Sequence, residues 1–168
     1  MRPEDICIGT IRSELNEGFI YPKVKQCMAI PNVDINYLAV LVSAVVSIIL
    51  GSLWYSPLLF GKVWMRLAGK NAKEMNKAKK RGMGKLYLVA FIASLVMAYV
   101  LAHFIKYLTA TSFTDGMLAG FWLWLGFIAA VQIGIVIWDN KPFKLYLLNA
   151  IYYLVSLAIM GGILAVWK

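Results

Sequence analysis

Hydrophobic positions are concentrated in four long runs that contain no Asp, Glu, Lys or Arg. The runs are Ile35–Gly61, Leu86–Ile105, Gly116–Trp138 and Leu145–Trp167. Because a helix rises about 1.5 Å per residue, a run of about 20 apolar residues crosses the hydrocarbon core of a bilayer. The pattern predicts an all-α membrane protein with four transmembrane helices, at about residues 35–59, 86–106, 116–138 and 145–167.

Small residues spaced four apart accompany each predicted span. The stripes are Ser43, Ser47 and Gly51 in the first span, Ala90, Ser94, Ala98 and Ala102 in the second, Gly126, Ala130 and Gly134 in the third, and Ala158 and Gly162, beside Gly161 and Ala165, in the fourth. Since small residues let helix backbones approach closely in lipid, the stripes predict a compact bundle. The first and third spans both close with Trp, Pro, Phe and Lys, so an arrangement as two parallel helical hairpins is open.

Charge adds an orientation to this picture. The formal net charge is +9, and most of the excess falls in the loop 62–85, where Glu74 is the single acidic residue. Because loops rich in Lys and Arg stay in the cytoplasm, we predict this loop inside and both termini outside. Aromatic residues lie in the spans rather than among these bases, so no nucleic-acid partner is expected.

The basic loop also predicts contact with anionic lipid headgroups. Seven residues are assigned to this contact: Lys70, Lys73, Lys77, Lys79, Lys80, Arg81 and Lys85. Asn71 as an N-cap and Gly82 as a stop favour a short amphipathic surface helix over Asn71–Arg81. A solvated loop is the open alternative.

Residues 1–34 are predicted to be an extracytoplasmic tail, and residues 35–168 the membrane domain. Met28 stands just before the first span, which raises the hypothesis that residues 1–27 are an upstream extension. Cys7 and Cys27 lack the spacing of metal ligands, so no metal and no cofactor are predicted. A disulfide between them and two free thiols are both open.

Ionisable side chains inside a membrane are costly and usually functional, and the four apolar runs contain no Asp, Glu, Lys or Arg. The lone histidine, His103, shares one helical stripe with Tyr99 and Tyr107 near the outer end of the second span. We consider this stripe a candidate outer-leaflet polar site. An interfacial histidine that reaches headgroups or water is the simpler interpretation.

Two amides, Gln132 and Asn149, are predicted at similar depth in the inner leaflet. Because buried amides need partners, we expect a hydrogen bond between them across the helices. The alternative is a polar vestibule open to the cytoplasm. Its candidate lining is Gln132, Asn149, Ser52, Tyr55, Tyr87 and Tyr152.

The most distinctive stretch of the chain is Trp54-Tyr55-Ser56-Pro57-Leu58-Leu59-Phe60-Gly61-Lys62. Together with Asn36–Val42, Leu125–Phe127 and Leu145–Trp167, it resembles a bacterial four-span membrane family, "domain of unknown function" number 1761. The resemblance covers about residues 34–168. It implies a multi-pass protein of the bacterial cytoplasmic (inner) membrane and no known activity, so no catalytic residue is carried over.

No enzyme signature occurs in the sequence, such as a nucleophile elbow, a metal pair or a glycine-rich phosphate loop, so we predict that the protein is not an enzyme. The pattern favours a structural or accessory helix bundle that self-associates or serves a larger membrane complex. The alternative is a small passive transporter or channel, working as an oligomer, with the inner-leaflet vestibule as its polar site.

Overall fold

The computed structural model describes residues 34–69 and 83–167, and every regular element in that part of the chain is helical. The elements are α1 (Tyr37–Trp54), the short α2 (Gly61–Leu67), α3 (Met83–Tyr107), α4 (Phe113–Ile137) and α5 (Phe143–Val166). Within these ranges, α1, α3, α4 and α5 are long and apolar enough to cross a membrane. The predicted fold class, an all-α membrane protein with four spans in a compact bundle, is confirmed.

Polar caps set the starts of two spans. The Asn36 side chain accepts hydrogen bonds from the Leu38 and Ala39 backbone N–H groups, at 3.0 and 3.2 Å, and so begins α1. Ser112 and Asp115 form a reciprocal capping box at the start of α4. In both cases a side chain partners backbone N–H groups that the first helical turn leaves free.

The first span ends at Trp54, five residues earlier than predicted. Ser56 precedes Pro57, and a residue before proline is disfavoured in the helical conformation, so the helix cannot continue through this point. The chain turns back on itself instead. The Phe60 N–H donates to the Trp54 carbonyl at 3.1 Å, and the Gly61 N–H donates to the Ser56 carbonyl at 2.9 Å. The helix α2 follows directly, although the pattern of residues had not predicted it.

Glycine is required at position 61 of this turn. A Cβ atom there would lie 2.7 Å from the Ser56 carbonyl oxygen and would overlap the Tyr55 carbonyl oxygen. Since these are backbone atoms, they cannot move aside as a flexible side chain would. The distinctive Trp54–Lys62 stretch therefore encodes a tight turn that leads from α1 into α2.

The fourth span, α5, is the hub of the bundle. It contacts each of the other three spans, and its contact with α4 is the most extensive in the molecule. The next largest contact joins α1 to α3, so consecutive spans pair as two helical hairpins. By contrast, α3 and α4 touch only over a short stretch, although a short loop connects them. The bundle is therefore open between α3 and α4.

The hairpin of α4 and α5 is held by backbone contact between glycines. A Cβ atom on Gly116 would overlap the Gly161 carbonyl, and one on Gly120 would lie 2.5 Å from the Leu157 carbonyl oxygen. Close approach of this kind is how small residues stabilise helix pairs in lipid. The hairpin therefore depends on glycines of the first half of α4.

The predicted third-span stripe of Gly126, Ala130 and Gly134 is not this contact, because a Cβ atom on Gly126 would meet open space. The reason lies in the middle of α4. Its α-helix Phe113–Leu123 gives way to a π-helical segment, Trp124–Ala129, before short α-helical pieces at Ala130–Gln132 and Gly134–Ile137. A π-helical turn holds an extra residue and rotates every position that follows.

We refer to the end of the bundle that carries α2 as the α2 end, and to the other as the opposite end. Toward the opposite end the interior is a cluster of apolar side chains from α1, α3 and α5, among them Val40, Leu101, Ile105, Met160 and Leu164. The residues of the tail 1–33, including Cys7, Cys27 and Met28, and the segment 70–82 with its expected surface helix, lie outside the described residues.

Candidate functional site

A polar cluster lies between α1 and α5 in the half of the bundle nearer the α2 end. It consists of Ser47, Tyr55, Asn149, Tyr152 and Ser156. The Ser47 and Ser156 hydroxyl oxygens are 2.9 Å apart, and both residues are fully buried. The Tyr55 hydroxyl donates to Asn149 Oδ1 at 3.0 Å, and the Tyr152 hydroxyl donates to the Ser47 carbonyl at 3.5 Å. The cluster therefore contains two hydrogen-bonded sets, one of Tyr55 with Asn149 and one of Ser47 with Tyr152 and Ser156.

Helical spacing explains how these residues come together. Ser47, Gly51 and Tyr55 are four apart on α1, and Tyr152 and Ser156 are four apart on α5, so each set occupies one face. Gly51 makes room for the phenol of Tyr152, since a Cβ atom at Gly51 would lie 2.7 Å from the Tyr152 hydroxyl oxygen. A small residue on one helix thus admits a large polar one from the other.

Aromatic rings cover the polar cluster at the α2 end. The Tyr55 ring packs edge-on against the rings of Tyr152 and Trp64, with centroids 5.2 and 5.8 Å apart. The Trp54 ring packs against Phe60, with centroids 4.8 Å apart. Tyr55 follows the last residue of α1, so its ring lies where the first span leads into the turn. From there its hydroxyl reaches Asn149 of α5 as a hydrogen-bond donor.

Two hydrogen bonds tie the middle of α4 to α5. The indole N–H of Trp124 donates to the Ala150 carbonyl at 2.7 Å, and the Tyr146 hydroxyl donates to the Ala129 carbonyl at 3.2 Å. Trp124 and Ala129 are the first and last residues of the π-helical segment. The irregular part of α4 is thereby fixed to its neighbour at both of its ends.

The structure gives Asn149 a different partner from the one expected. Its amide oxygen accepts from Tyr55 of the first span, whereas the Gln132 amide oxygen is buried with no partner among the described residues. The expected bond between Gln132 and Asn149 is therefore replaced by one that joins α1 to α5. Because π-helical turns rotate the positions that follow them, the face of Gln132 could not be assigned from an ideal helix.

The six candidate vestibule residues do not form one lining. Tyr55, Asn149 and Tyr152 meet in the polar cluster, whereas Ser52 is exposed on α1 and Tyr87 is half-exposed on α3. Sequence reasoning had assigned Ser47 to the small-residue stripe only and had not singled out Ser156 or Trp124. The position of Ser156, one turn after Tyr152, was a signal that could have identified it.

The candidate outer-leaflet site is a local arrangement on a single helix. His103 Nδ1 lies 3.0 Å from the Tyr99 carbonyl oxygen, one turn earlier on α3. The His103 ring packs edge-on against Tyr99, with centroids 4.5 Å apart, and lies 6.3 Å from the ring of Tyr107. Both tyrosines are exposed on the bundle surface. Across residues 34–69 and 83–167, no group of three potential metal ligands occurs.

Of the seven residues assigned to anionic lipid, only Lys85 is described, and it is exposed at the start of α3. Lys62 and Arg66 of the same basic loop are exposed on α2. The remaining six, Lys70, Lys73, Lys77, Lys79, Lys80 and Arg81, lie outside the described residues. Lys62, Arg66 and Lys85 thus lie at the α2 end, on the same side as the polar cluster.

A family model matches residues 38–165, which is most of the chain and includes all four spans. Its description is "Protein of unknown function (DUF1761)". The chain belongs to this family. Membership confirms the resemblance carried by the Trp54–Lys62 stretch. Neither a curated protein nor a solved structure matches this DUF1761 protein.

Proposed function

We propose that this DUF1761 protein is a non-enzymatic structural or accessory helix bundle that self-associates through α4 in the bacterial cytoplasmic membrane. Its polar cluster supports a packing role, because Tyr55 bonds to Asn149 and Ser47 to Ser156. Buried polar groups that satisfy one another fix a helix pair in register, and in membranes each such bond contributes about 0.6–2 kcal/mol. Because these side chains form hydrogen bonds with one another, their donors and acceptors are not available to bind a substrate.

The observation that carries the proposal is the position of Trp122 on α4. The residue is 61 % exposed and lies nine residues after the start of the span. At about 1.5 Å per residue, this depth is about 14 Å, close to the middle of a ~30 Å hydrocarbon core. Tryptophan prefers the headgroup region, because hydrocarbon offers its N–H no acceptor. A second transmembrane segment packed against this face would provide a hydrogen-bond acceptor for the indole N–H.

The remainder of this face supports the same proposal. Leu118 and Leu125, one turn before and almost one turn after Trp122, are exposed as well. We call Leu118, Trp122 and Leu125 the α4 face. Large aromatic residues dominate the energetics of protein interfaces, and a second copy of a chain is the commonest partner among oligomers. We therefore assign a second copy of this protein to the α4 face.

The proposed orientation places the α2 end in the cytoplasm, with both termini outside. Its support is the exposure of Lys62, Arg66 and Lys85 at that end, together with the other bases of the loop 62–85. Short basic loops are retained on the cytoplasmic side, where anionic headgroups attract them.

The test compares two tryptophans of the same span. Trp122→Ala removes the centre of the α4 face, and Trp138→Ala removes an exposed indole at the end of the span. By native mass spectrometry of protein extracted with its lipids, we expect an oligomer for the wild type and for Trp138→Ala. We expect Trp122→Ala to associate at least about 30-fold more weakly, as for a residue that contributes about 2 kcal/mol at an interface.

A partner of different mass that is released only by Trp122→Ala would support the accessory form of the proposal. A wild-type protein that remains monomeric and free of partners in native membranes, as judged by crosslinking, would contradict it.

A passive transporter is the second candidate, and the Gln132 side chain favours it. Its buried amide oxygen has no partner among the described residues, in the broken part of α4. Gln132→Leu should abolish solute flux into proteoliposomes if this amide serves a pathway. Flux that is unchanged in Gln132→Leu would rule against a transport pathway at this amide. The absence of flux in the wild type, for neutral, anionic and cationic solutes alike, would rule against transport altogether.

A further inference from the structure

The short helix α2 presents two cations on the side that faces away from the bundle. Lys62 and Arg66 are four residues apart, so they lie on one face of the helix, and both are exposed. Successive residues of a helix are about 100° apart, which places Trp64 on roughly the opposite face. The Trp64 ring packs edge-on against Tyr55, with centroids 5.8 Å apart. The tryptophan side of α2 therefore packs on the bundle, and the cations point away from it.

Exposed apolar side chains accompany the two cations. Leu58, in the turn before α2, is almost fully exposed, and Leu59, Phe60 and Val63 are exposed as well. Hydrocarbon removes such side chains from water, whereas phosphate groups pair with Lys and Arg. The turn and the helix thus combine the two chemistries that a membrane surface offers. We call Leu58, Leu59, Phe60, Lys62, Val63 and Arg66 the α2 surface.

The level of α2 along the bundle agrees with this chemistry. The Tyr55 hydroxyl bonds to Asn149, which lies six residues after the start of α5. At about 1.5 Å per residue, α1 therefore ends about 9 Å inside the level at which α5 begins. Lys141 and Lys144 are exposed at the start of α5 and mark the aqueous side. Amphipathic helices of the interface bury their apolar side about 5–10 Å deep, so α2 lies at the level of such a helix.

Charge favours an anionic partner for the α2 surface. Within the part of the chain that the structure describes, the α2 end carries the bases Lys62, Arg66, Lys85, Lys141 and Lys144 and the acid Asp139. Side chains four residues apart on a helix have Cβ atoms about 5–6 Å apart, so Lys62 and Arg66 can both reach one phosphate group. Phosphatidylglycerol has a net negative charge at its phosphate, whereas phosphatidylcholine places a cation beside it. Two adjacent bases therefore favour the anionic lipid.

We infer that the α2 surface binds an anionic phospholipid at the membrane interface, with the lipid phosphate between Lys62 and Arg66 and the acyl chains against the exposed apolar side chains. The inference extends the proposed attraction between the basic loop and anionic headgroups to one structured helix. It rests neither on self-association nor on the side of the membrane that α2 occupies. An acidic segment of another protein is the competing occupant, and the test distinguishes the two.

The test measures which lipid lies next to Val63. The full chain, with Cys7→Ser, Cys27→Ser and a fluorophore on Val63→Cys, is placed in phosphatidylcholine nanodiscs, whose two leaflets are alike. A lipid with a nitroxide quencher near the top of one acyl chain is added as phosphatidylglycerol or as phosphatidylcholine. Each base near the surface strengthens attraction to anionic lipid about fivefold. Half-maximal quenching should therefore need at least about fivefold less phosphatidylglycerol than phosphatidylcholine.

Two outcomes of this measurement would overturn the inference. Equal amounts of the two lipids at half-maximal quenching would show that the α2 surface does not select anionic lipid. Quenching by neither lipid, as a protein segment covering the site would produce, would show that lipid is not the occupant.

A matched pair of charge variants separates a site from a diffuse attraction. Lys62→Gln with Arg66→Gln removes both cations of the α2 surface, whereas Lys141→Gln with Lys144→Gln removes the same charge at the same end of the bundle. We expect the first pair to weaken the preference for phosphatidylglycerol at position 63 at least about fivefold, and the second to change it less than about twofold. Equal losses would show that net charge alone attracts the lipid and would overturn the inference.

The depth of the α2 surface has its own comparison. Val45, in the middle of α1, is 41 % exposed, close to the 46 % of Val63, so a fluorophore on Val45→Cys is a matched control. Moving the nitroxide to the end of the acyl chain should weaken quenching at position 63 and strengthen it at position 45. If both positions are quenched more strongly by the deep nitroxide, the α2 surface lies in hydrocarbon, where no phosphate can reach it, and the inference is wrong.

Discussion

The third and fourth spans are nearly alike in length and hydropathy, yet they occupy the bundle very differently. They comprise 25 and 24 residues, but 11 % of the most apolar stretch of α4 is buried, against 39 % for α5. Hydropathy decides that both helices enter the membrane. It does not decide which of them becomes the centre of the bundle, because lipid is as apolar as a leucine side chain.

The difference between the two spans arises from where their small and polar residues lie. Those of α5 serve several neighbours: Ser156 bonds to α1, Gly161 meets Gly116 of α4, and Met160 and Leu164 pack in the core shared with α1 and α3. In α4, the glycines Gly116 and Gly120 contact α5, whereas the side chains of the α4 face are exposed. The result is one hub helix and one helix with a large exposed face.

The largest expected effect comes from the contact that joins the two spans. Gly116→Leu would force a side chain into the Gly161 backbone, so we expect a loss of about 3 kcal/mol or more of bundle stability, at the upper end for overpacking. Gly126→Leu, in the same span, points a side chain into open space and should change stability little. Reversible unfolding of both variants in mixed micelles measures the difference. Equal losses would show that the glycine contact does not hold the hairpin.

A smaller effect is expected within the polar cluster that anchors α5 to α1. A double-mutant cycle of Tyr55→Phe and Asn149→Leu should give a coupling energy of about 0.6–1.7 kcal/mol, the range for hydrogen bonds between membrane helices. Ser52→Ala, on the exposed side of α1, is the control and should be neutral. A coupling energy of zero would mean that the two side chains do not bond in the membrane.

The smallest effect is expected where α4 is tied to α5 at the π-helical segment. Trp124→Phe keeps an aromatic ring and removes the hydrogen bond to the Ala150 carbonyl, so we expect a loss of about 0.5 kcal/mol, at the lower end for a hydrogen bond. It should also speed hydrogen exchange around residues 124–129. Trp138→Phe alters an exposed ring and should have neither effect. Unchanged exchange in Trp124→Phe would indicate that the segment is held by packing alone.

Much of this fold could be predicted from the sequence, because runs of apolar residues report directly on membrane insertion. The stripe of Ser43 and Ser47 also identified a buried face of α1 correctly, since α1 is an undistorted helix. The third-span stripe does not mark the contact between α4 and α5, and the expected bond between Gln132 and Asn149 is not formed, for one shared physical reason. Both assignments assumed an ideal helix across Trp124–Ala129, and a π-helical turn leaves no simple signal in the sequence.

The candidate site was predicted less completely than the fold. Tyr55, Asn149 and Tyr152 were placed together by depth alone, and depth does not distinguish the inward face of a helix from the outward one. Ser52 and Tyr87 shared that depth and are exposed. The turn from Trp54 to Gly61 was visible as a distinctive stretch, but its role as the path into α2 required the backbone hydrogen bonds.

Cysteine crosslinking in native membranes tests most directly whether α4 is the docking helix. In a background with Cys7→Ser and Cys27→Ser, Leu118→Cys lies on the α4 face and Val96→Cys on α3, with similar exposures of 55 % and 57 %. The account predicts that Leu118→Cys forms a crosslinked species of twice the 18.8 kDa mass of the chain, while Val96→Cys remains uncrosslinked. No crosslink at position 118, or equal crosslinking at both positions, would contradict it.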